Sequence, residues 1–193
     1  MLSFPIVLDL ETQRSFQEVS GDVRKLGVSL VGVYDYRTDK YTVYREAGFS
    51  ELFTVLERAS FLIGFNIDKF DLPVLSPYYI GKISQFKTLD ILTKVEESLG
   101  FRVALDVLAQ ATLGVRKGGH GLMAINYFRN NEWAKLEKYC LEDVRITKEI
   151  YEYAGKNSKL FYDTFQGKKE IAVNLSDGGK KKQAEAVSLS LPF

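Results

Sequence analysis

Residues Phe4-Pro5-Ile6-Val7-Leu8-Asp9-Leu10-Glu11 form a short apolar run that ends in two carboxylates. An apolar run of this length without alternation marks a strand buried on both faces. It predicts a central strand of a sheet covered on each side. Side chains two apart on a strand point to the same face, so Asp9 and Glu11 stand side by side. Ionised and unpaired there, they repel each other and resist burial, which raises at least one pKa. Arg or Lys partners could relieve this, but a divalent cation does so more directly. Hard oxygen ligands favour magnesium or manganese over zinc. The plainer alternative is a strand end already in solvent, carrying two ordinary surface acids.

The chain has enough apolar material to cover such a strand. Its 193 residues are 46% hydrophobic and 26% charged, which suits one domain with a buried core. A net charge of +1 excludes a globally basic binder, so any nucleic-acid contact must come from local patches. One cysteine excludes a disulfide scaffold and a Cys-rich zinc module, and one histidine excludes a multi-His metal site. No apolar run approaches the ~18 residues of a membrane span. Met1-Leu2-Ser3 is not the charged start of a signal peptide either. These bounds predict a soluble, cytoplasmic, single-domain protein with no membrane contact.

Further along, residues 27–34 and 40–45 are β-rich, and the polar turn Arg37-Thr38-Asp39 between them predicts an antiparallel hairpin. Ser50 is placed to cap a helix carrying Leu52, Phe53, Val55 and Leu56 on one side. A second buried strand, 61–65, precedes a short helix over 69–75, with Pro73 tolerable only in its first turn. Thr88-Leu89 reads as a brief strand, and Asp90 as the cap of a helix over 91–99. Residues 105–113 form another helix, closed by Gly114. After a glycine-rich loop over 116–121, residues 124–128 and 132–153 read as helical. Residues 160–175 alternate like a hairpin turning at Gly167-Lys168. The fold expected is a mixed α/β sheet flanked by helices, with a C-terminal hairpin (about 159–175) closing a domain over 1–175. Residues 176–193 form a Lys-rich linker and an apolar tail.

Two more polar clusters interrupt this pattern. In Gly64-Phe65-Asn66-Ile67-Asp68-Lys69-Phe70-Asp71, an apolar strand runs out into acids that open a helix. Strand ends of α/β sheets are where such sheets build their sites. Asp68 reads as the helix cap, bonding the amide of Asp71, which frees Asp71 to face the strand ends. For Asp71 alone, stabilising a helix dipole is a sufficient explanation. On the long helix, Tyr139 and Asp143 are four apart and share one face. A phenol beside a carboxylate can orient a water on a metal, or can simply be a buried Tyr bonded to an acid. Cys140 reads as a small packed residue.

Taken together, the three segments resemble the DEDD 3′–5′ exonucleases of ribonuclease-H-like fold, in their tyrosine branch. The motifs are Asp9-Leu10-Glu11 with Thr12, then Asn66, Phe70 and Asp71, then Tyr139 and Asp143. The wording is similar to proofreading domains of family B polymerases and to small bacterial stand-alone relatives, over about residues 4–155. The resemblance implies a five-stranded mixed sheet and two divalent ions, magnesium or manganese. Asp9 would bridge both ions, Glu11 and Asp143 would complete one site, and Asp71 would serve the other. It implies catalytic roles for Asp9, Glu11, Asp71, Tyr139 and Asp143, with Tyr139 orienting the attacking water. Thr12, Asn66 and Phe70 would touch the substrate strand, and Phe70 stands equally well as core. Four carboxylates against two divalent ions give a cluster neutral when loaded and self-repelling when empty.

The implied activity is release of nucleoside 5′-monophosphates from DNA, with single-stranded 3′ ends as partner. An RNA exonuclease and an inert nucleic-acid-binding module serving a helicase or polymerase are the alternatives. His120 lies far from the place of the family's histidine and reads as a loop residue. Asp90 reads as a helix cap before it reads as a fifth site acid. Arg116, Lys117, Lys135 and Lys138 are candidates for backbone contacts, or an ordinary solvated face. The tail Ser188-Leu189-Ser190-Leu191-Pro192-Phe193 resembles the bacterial sliding-clamp-binding peptide, which points to Leu189, Leu191 and Phe193, though its leading Gln is replaced by Ser188.

Overall fold

The apolar run at the start of the chain is the middle strand of a five-stranded sheet. The computed structural model describes residues 4–116 and 121–175. His120, Lys117 and the clamp-like segment therefore lie outside the described residues. Strand β1 (Ile6–Thr12) pairs antiparallel with β2 (Val28–Asp35), which continues antiparallel to β3 (Lys40–Tyr44). On its other edge β1 pairs in parallel with β4 (Leu62–Gly64), and β4 with β5 (Thr88–Asp90). The strand order is β3-β2-β1-β4-β5. The mixed five-stranded sheet and the separate hairpin, β6 (Lys159–Thr164) with β7 (Gly167–Ala172), are the architecture the sequence predicts.

Both faces of β1 are covered, as its unbroken apolar run requires. Ile6, Leu8 and Leu10 pack with Leu52, Phe53 and Leu56 of α1 (Phe49–Glu57) and with Leu72 and Leu75 of α2 (Asp71–Leu75). On the other face, Val7 packs with Ile91 and Val95 of α3 (Ile91–Leu99) and Leu108 of α4 (Leu105–Leu113). It also meets Val144, Ile146 and Ile150 of the long helix α6 (Trp133–Asn157). Helix α5 (Gly121–Arg129) adds Ala124 beside Leu30, Leu136 and Cys140. Asp9 and Glu11 share the face of Val7, so two carboxylates continue an apolar row that looks toward α6.

Several local expectations shift. Helix α1 begins at Phe49 with Gly48 as its cap, so Ser50 lies inside the first turn and is not the capping residue. Asp68 does not cap α2 either: Phe70 occupies the cap without a side-chain bond, two residues past Asp68. The terminal hairpin turns at Phe165-Gln166, two residues before the expected place. There the Thr164 hydroxyl accepts from the Gln166 amide and donates to the Gly167 carbonyl, and Gly167 takes φ 103° as the first residue of β7. Helix α6 runs past Tyr153 to Asn157, ending where Ser158 turns left-handed. No helix among the described residues is long and apolar enough to cross a membrane.

Candidate active site

The site begins where β1 outruns its parallel neighbour. β1 is laddered to β2 from Ile6 to Thr12, but to β4 only at Ile6 and Val7. Beyond Val7 one edge of β1 carries amides that no strand takes up, and the start of α2 fills that flank. The Leu10 amide hydrogen-bonds the Asp71 carboxylate there.

Asp71 is 3% exposed, and its Oδ1 is buried with no hydrogen-bond partner among the described residues. Burial pushes its carboxyl up to about 8, helped by the nearby charges of Asp90 and Asp143. Its own amide and that of Leu10 pull the other way. A buried carboxyl with an unsatisfied oxygen carries a standing cost of ~1–3 kcal/mol, which a cation would remove.

Asp143 and Tyr139, one turn apart on α6, face β1 and are 4% and 8% exposed. The helix reaches β1 because Gly32, the residue directly across the ladder from Asp9, has no side chain. A β-carbon on Gly32 would lie 2.9 Å from Cys140 Sγ and 3.0 Å from Val144 Cγ2. Cys140 Sγ in turn sits 3.6 Å from the Asp9 carbonyl and 3.7 Å from Asp9 Oδ2. Burial, and then the charges of Asp9, Glu11 and Asp143, push this thiol well above its ordinary range. Cys140 therefore packs as a neutral thiol, as expected of a small buried residue.

Asp90 caps α3 by accepting from the Leu92 and Thr93 amides. It also accepts from the amides of Asn66 (2.8 Å) and Asp68 (3.2 Å), pinning the segment that leads into Asp71. This explains how Asn66 is held at φ 69°, a left-handed conformation that Asn tolerates. Burial raises the Asp90 carboxyl, and these amides oppose the rise.

A cleft of about 550 Å³ opens over this assembly. Asp9, Glu11, Tyr139 and Asp143 line it with Thr12 and Phe70, while Arg14, Phe16, Leu122 and Ile125 supply the outer walls. Phe16 and Phe70 are ring partners, with centroids 5.9 Å apart. Asp71, buried, is not part of the lining. Asn66 does not line the cleft; its side-chain carbonyl accepts from Arg102 Nη2 at 2.8 Å. Arg116, Lys135 and Lys138 do not line it either: Arg116 bonds Gln110, and Lys135 pairs with Glu132.

The walls formed by residues 14–17 and by α5 were not legible in the sequence. Residues 13–26 show neither strand nor helix periodicity, and an exposed phenylalanine in a polar stretch, Phe16, was the one available signal.

A divalent cation fits these residues. The donors converging here are carboxylate oxygens. Ligand atoms of Asp9 and Glu11, together with the sulfur of the neutral Cys140 thiol, lie within 4.8 Å of one another, and Asp71 carries a buried oxygen with no hydrogen-bond partner among the described residues.

A family model of the RNase_H superfamily matches residues 6–155. The chain belongs to that superfamily. Its RNase H-like fold is of a nuclease type, and the match covers every element from β1 to the body of α6. Among solved structures, the domain is similar to the family B DNA polymerase from the hyperthermophilic archaeon Pyrobaculum calidifontis. The TM-score is 0.59 at 19% identity, over 78% of this chain and 24% of the polymerase chain. This chain thus spans about a quarter of that protein, and the likeness is one of fold. None of the curated proteins compared with the RNase H-like chain matches it.

Proposed function

We propose that the protein is a metal-dependent 3′–5′ exonuclease that shortens DNA from its 3′ end and releases nucleoside 5′-monophosphates. The convergence of Asp9, Glu11, Tyr139 and Asp143 on one cleft, with the unsatisfied oxygen of Asp71 buried outside its lining, carries this reading. Two magnesium or manganese ions held by Asp9, Glu11, Asp71 and Asp143 would supply an acidified attacking water and stabilise the leaving 3′ oxygen.

The chain's own residues divide the remaining work. Asp9 and Glu11 are fixed by the β1–β2 ladder, whereas Tyr139 and Asp143 are fixed by the seat of α6 on Gly32. The Tyr139 hydroxyl orients the attacking water. Thr12, whose hydroxyl donates to the Arg14 carbonyl at 2.9 Å, shapes the floor beside Glu11. Phe70 offers a ring face on which a terminal base of any sequence can stack. Asn66, at the strand end beside Arg102, would steady the strand outside the cleft.

Single strands of DNA and RNA, labelled at the 3′ or the 5′ end, are incubated with the protein and manganese. The expected result is mononucleotide from the 3′ label of DNA. Release from RNA alone would reassign the sugar, and intact strands throughout would overturn the reading. Asp9→Ala and Asp143→Ala should abolish release while the fold persists, so full activity in either would refute the assignment. The tail over 176–193 is read as a separate tether whose end engages a sliding clamp. A peptide of residues 180–193 that fails to bind a clamp at high micromolar concentration ends that idea.

A further inference from the structure

Within the cleft, one charge is of the opposite sign to all the others. Among the described residues Arg14 is the lone cationic side chain lining it, against Asp9, Glu11 and Asp143. Two neighbouring basic side chains are paired: Arg129 with Glu18 at 2.5 Å, and Lys25 with Asp22 at 3.5 Å. Arg14 makes no ion pair among the described residues. Its Nη1 donates to the Lys25 carbonyl at 2.9 Å, and its amide donates to the Leu26 carbonyl at 3.1 Å. These bonds anchor the backbone and one nitrogen of the guanidinium, and most of its five N–H donors are left over.

An always-charged fork on the wall of a cleft whose other charged lining residues are acids is suited to an oxyanion. We propose that Arg14 binds an internucleotide phosphate of the substrate strand other than the one being cleaved. This rests on the exonuclease reading and names which part of the polymer the site needs. The charge balance gives the reason. Two divalent ions offset the four carboxylates, Asp9, Glu11, Asp71 and Asp143, so each further phosphate on the strand adds a negative charge that the metal cluster does not meet. Arg14 meets one of them, which makes the site a reader of chain length beyond the terminal nucleotide.

The test compares the full chain with Arg14→Ala and Arg14→Lys on two substrates. One is a short oligothymidylate; the other is the p-nitrophenyl ester of thymidine 5′-monophosphate, which has a single phosphodiester. Arg14→Ala should raise KM for the oligomer about 10-fold with kcat nearly unchanged, as loss of one charged hydrogen bond predicts. Its kcat/KM on the ester should stay at the wild-type level. Binding of fluorescent oligothymidylate in calcium gives a readout independent of turnover. The slope of log affinity against log salt should flatten by ~0.7 in Arg14→Ala and be kept in Arg14→Lys.

Equal losses on both substrates, or an unchanged salt slope, would overturn the proposal. Wild-type protein that binds the oligomer but hydrolyses neither substrate would sink the exonuclease reading, and the salt slope would still decide Arg14. Wild-type protein that does not bind the oligomer would sink both.

Discussion

Cys140 of α6 occupies the space that Gly32 of β2 leaves empty, directly across the ladder from Asp9. This contact sets how far the helix bearing Tyr139 and Asp143 stands from the strand bearing Asp9 and Glu11. The two halves of the candidate site are far apart in sequence, Asp9 and Cys140 being 131 residues apart. Their distance is set by the absence of one methyl group.

Gly32→Ala tests this directly. The added carbon would meet Sγ and Val144 Cγ2 at 2.9 and 3.0 Å, and these are packed core atoms with little room to yield. Overpacking of this kind costs ~1–3 kcal/mol. Denaturant melts should show that loss. The nuclease rate should fall further than stability accounts for, because α6 is displaced from β1. A variant with native rate and native stability would show that the spacing is not set here.

The raised Asp71 carboxyl gives the metal-free protein a characteristic response to pH. Folded Asp71 keeps its proton up to about 8, whereas the unfolded chain releases it near the ordinary value of 3.8. Between those values the folded state binds more protons, so stability falls as pH rises, by up to ~1.4 kcal/mol per pH unit for one proton. Above about pH 8 the slope from this group vanishes. Chemical denaturation in EDTA across this window should show the decline. Asp71→Asn should flatten it, leaving the smaller share that the raised Asp90 contributes.

Magnesium or manganese should raise the melting temperature, since the ions bind the assembled cluster and not the unfolded chain. At ~100-fold over Kd the gain is about 2.7 kcal/mol, or roughly 5–10 °C for a domain of this size. Asp9→Ala should lose the shift. Tyr139→Phe should keep it while kcat drops about 10²-fold and KM stays within threefold, because a phenol that positions water acts on the reacting step. Loss of the shift in Tyr139→Phe would instead make Tyr139 part of the metal cluster.

Asp90 accepts four backbone amides, from Asn66, Asp68, Leu92 and Thr93. Asp90→Ala removes a helix cap and strands buried donors, so a loss of about 2–4 kcal/mol is expected. The segment before Asp71 should loosen with it. Faster amide exchange at residues 66–71 than in β2 would show that Asp90 holds the site segment as well as the helix. Uniform exchange changes would reduce it to an ordinary cap.

Local chemistry made much of the fold legible. The α3 and α4 boundaries fall where Asp90 and Gly114 place them, since a capping carboxylate and a left-handed glycine act on their own neighbours. The double burial of β1 was readable because an unbroken apolar run has no polar side to expose. What escaped was non-local. No local pattern shows that the amides of Asn66 and Asp68 are taken up by a carboxylate more than twenty residues away. The wall from Arg14 to Gln17 has no periodicity, because main-chain bonds such as Gln13 to the Gly27 carbonyl hold it. The cleft lining from α5 depends on where that helix docks, which hydrophobic pattern alone does not fix.

The short pairing between β1 and β4 has a consequence for how this domain can vary. Asp9 and Glu11 are secured along one edge by the full ladder to β2, and their other flank is closed by the turn and helix start from Gly64 to Asp71. Lengthening or reshaping that turn would leave the two acids in register, whereas a one-residue slip in β2 would turn Gly32 away from α6. The molecule thus has one jaw fixed by a strand ladder and another held through Asp90 and the start of a helix, so changes on that second side must leave Asp71 and its support by Asp90 in place.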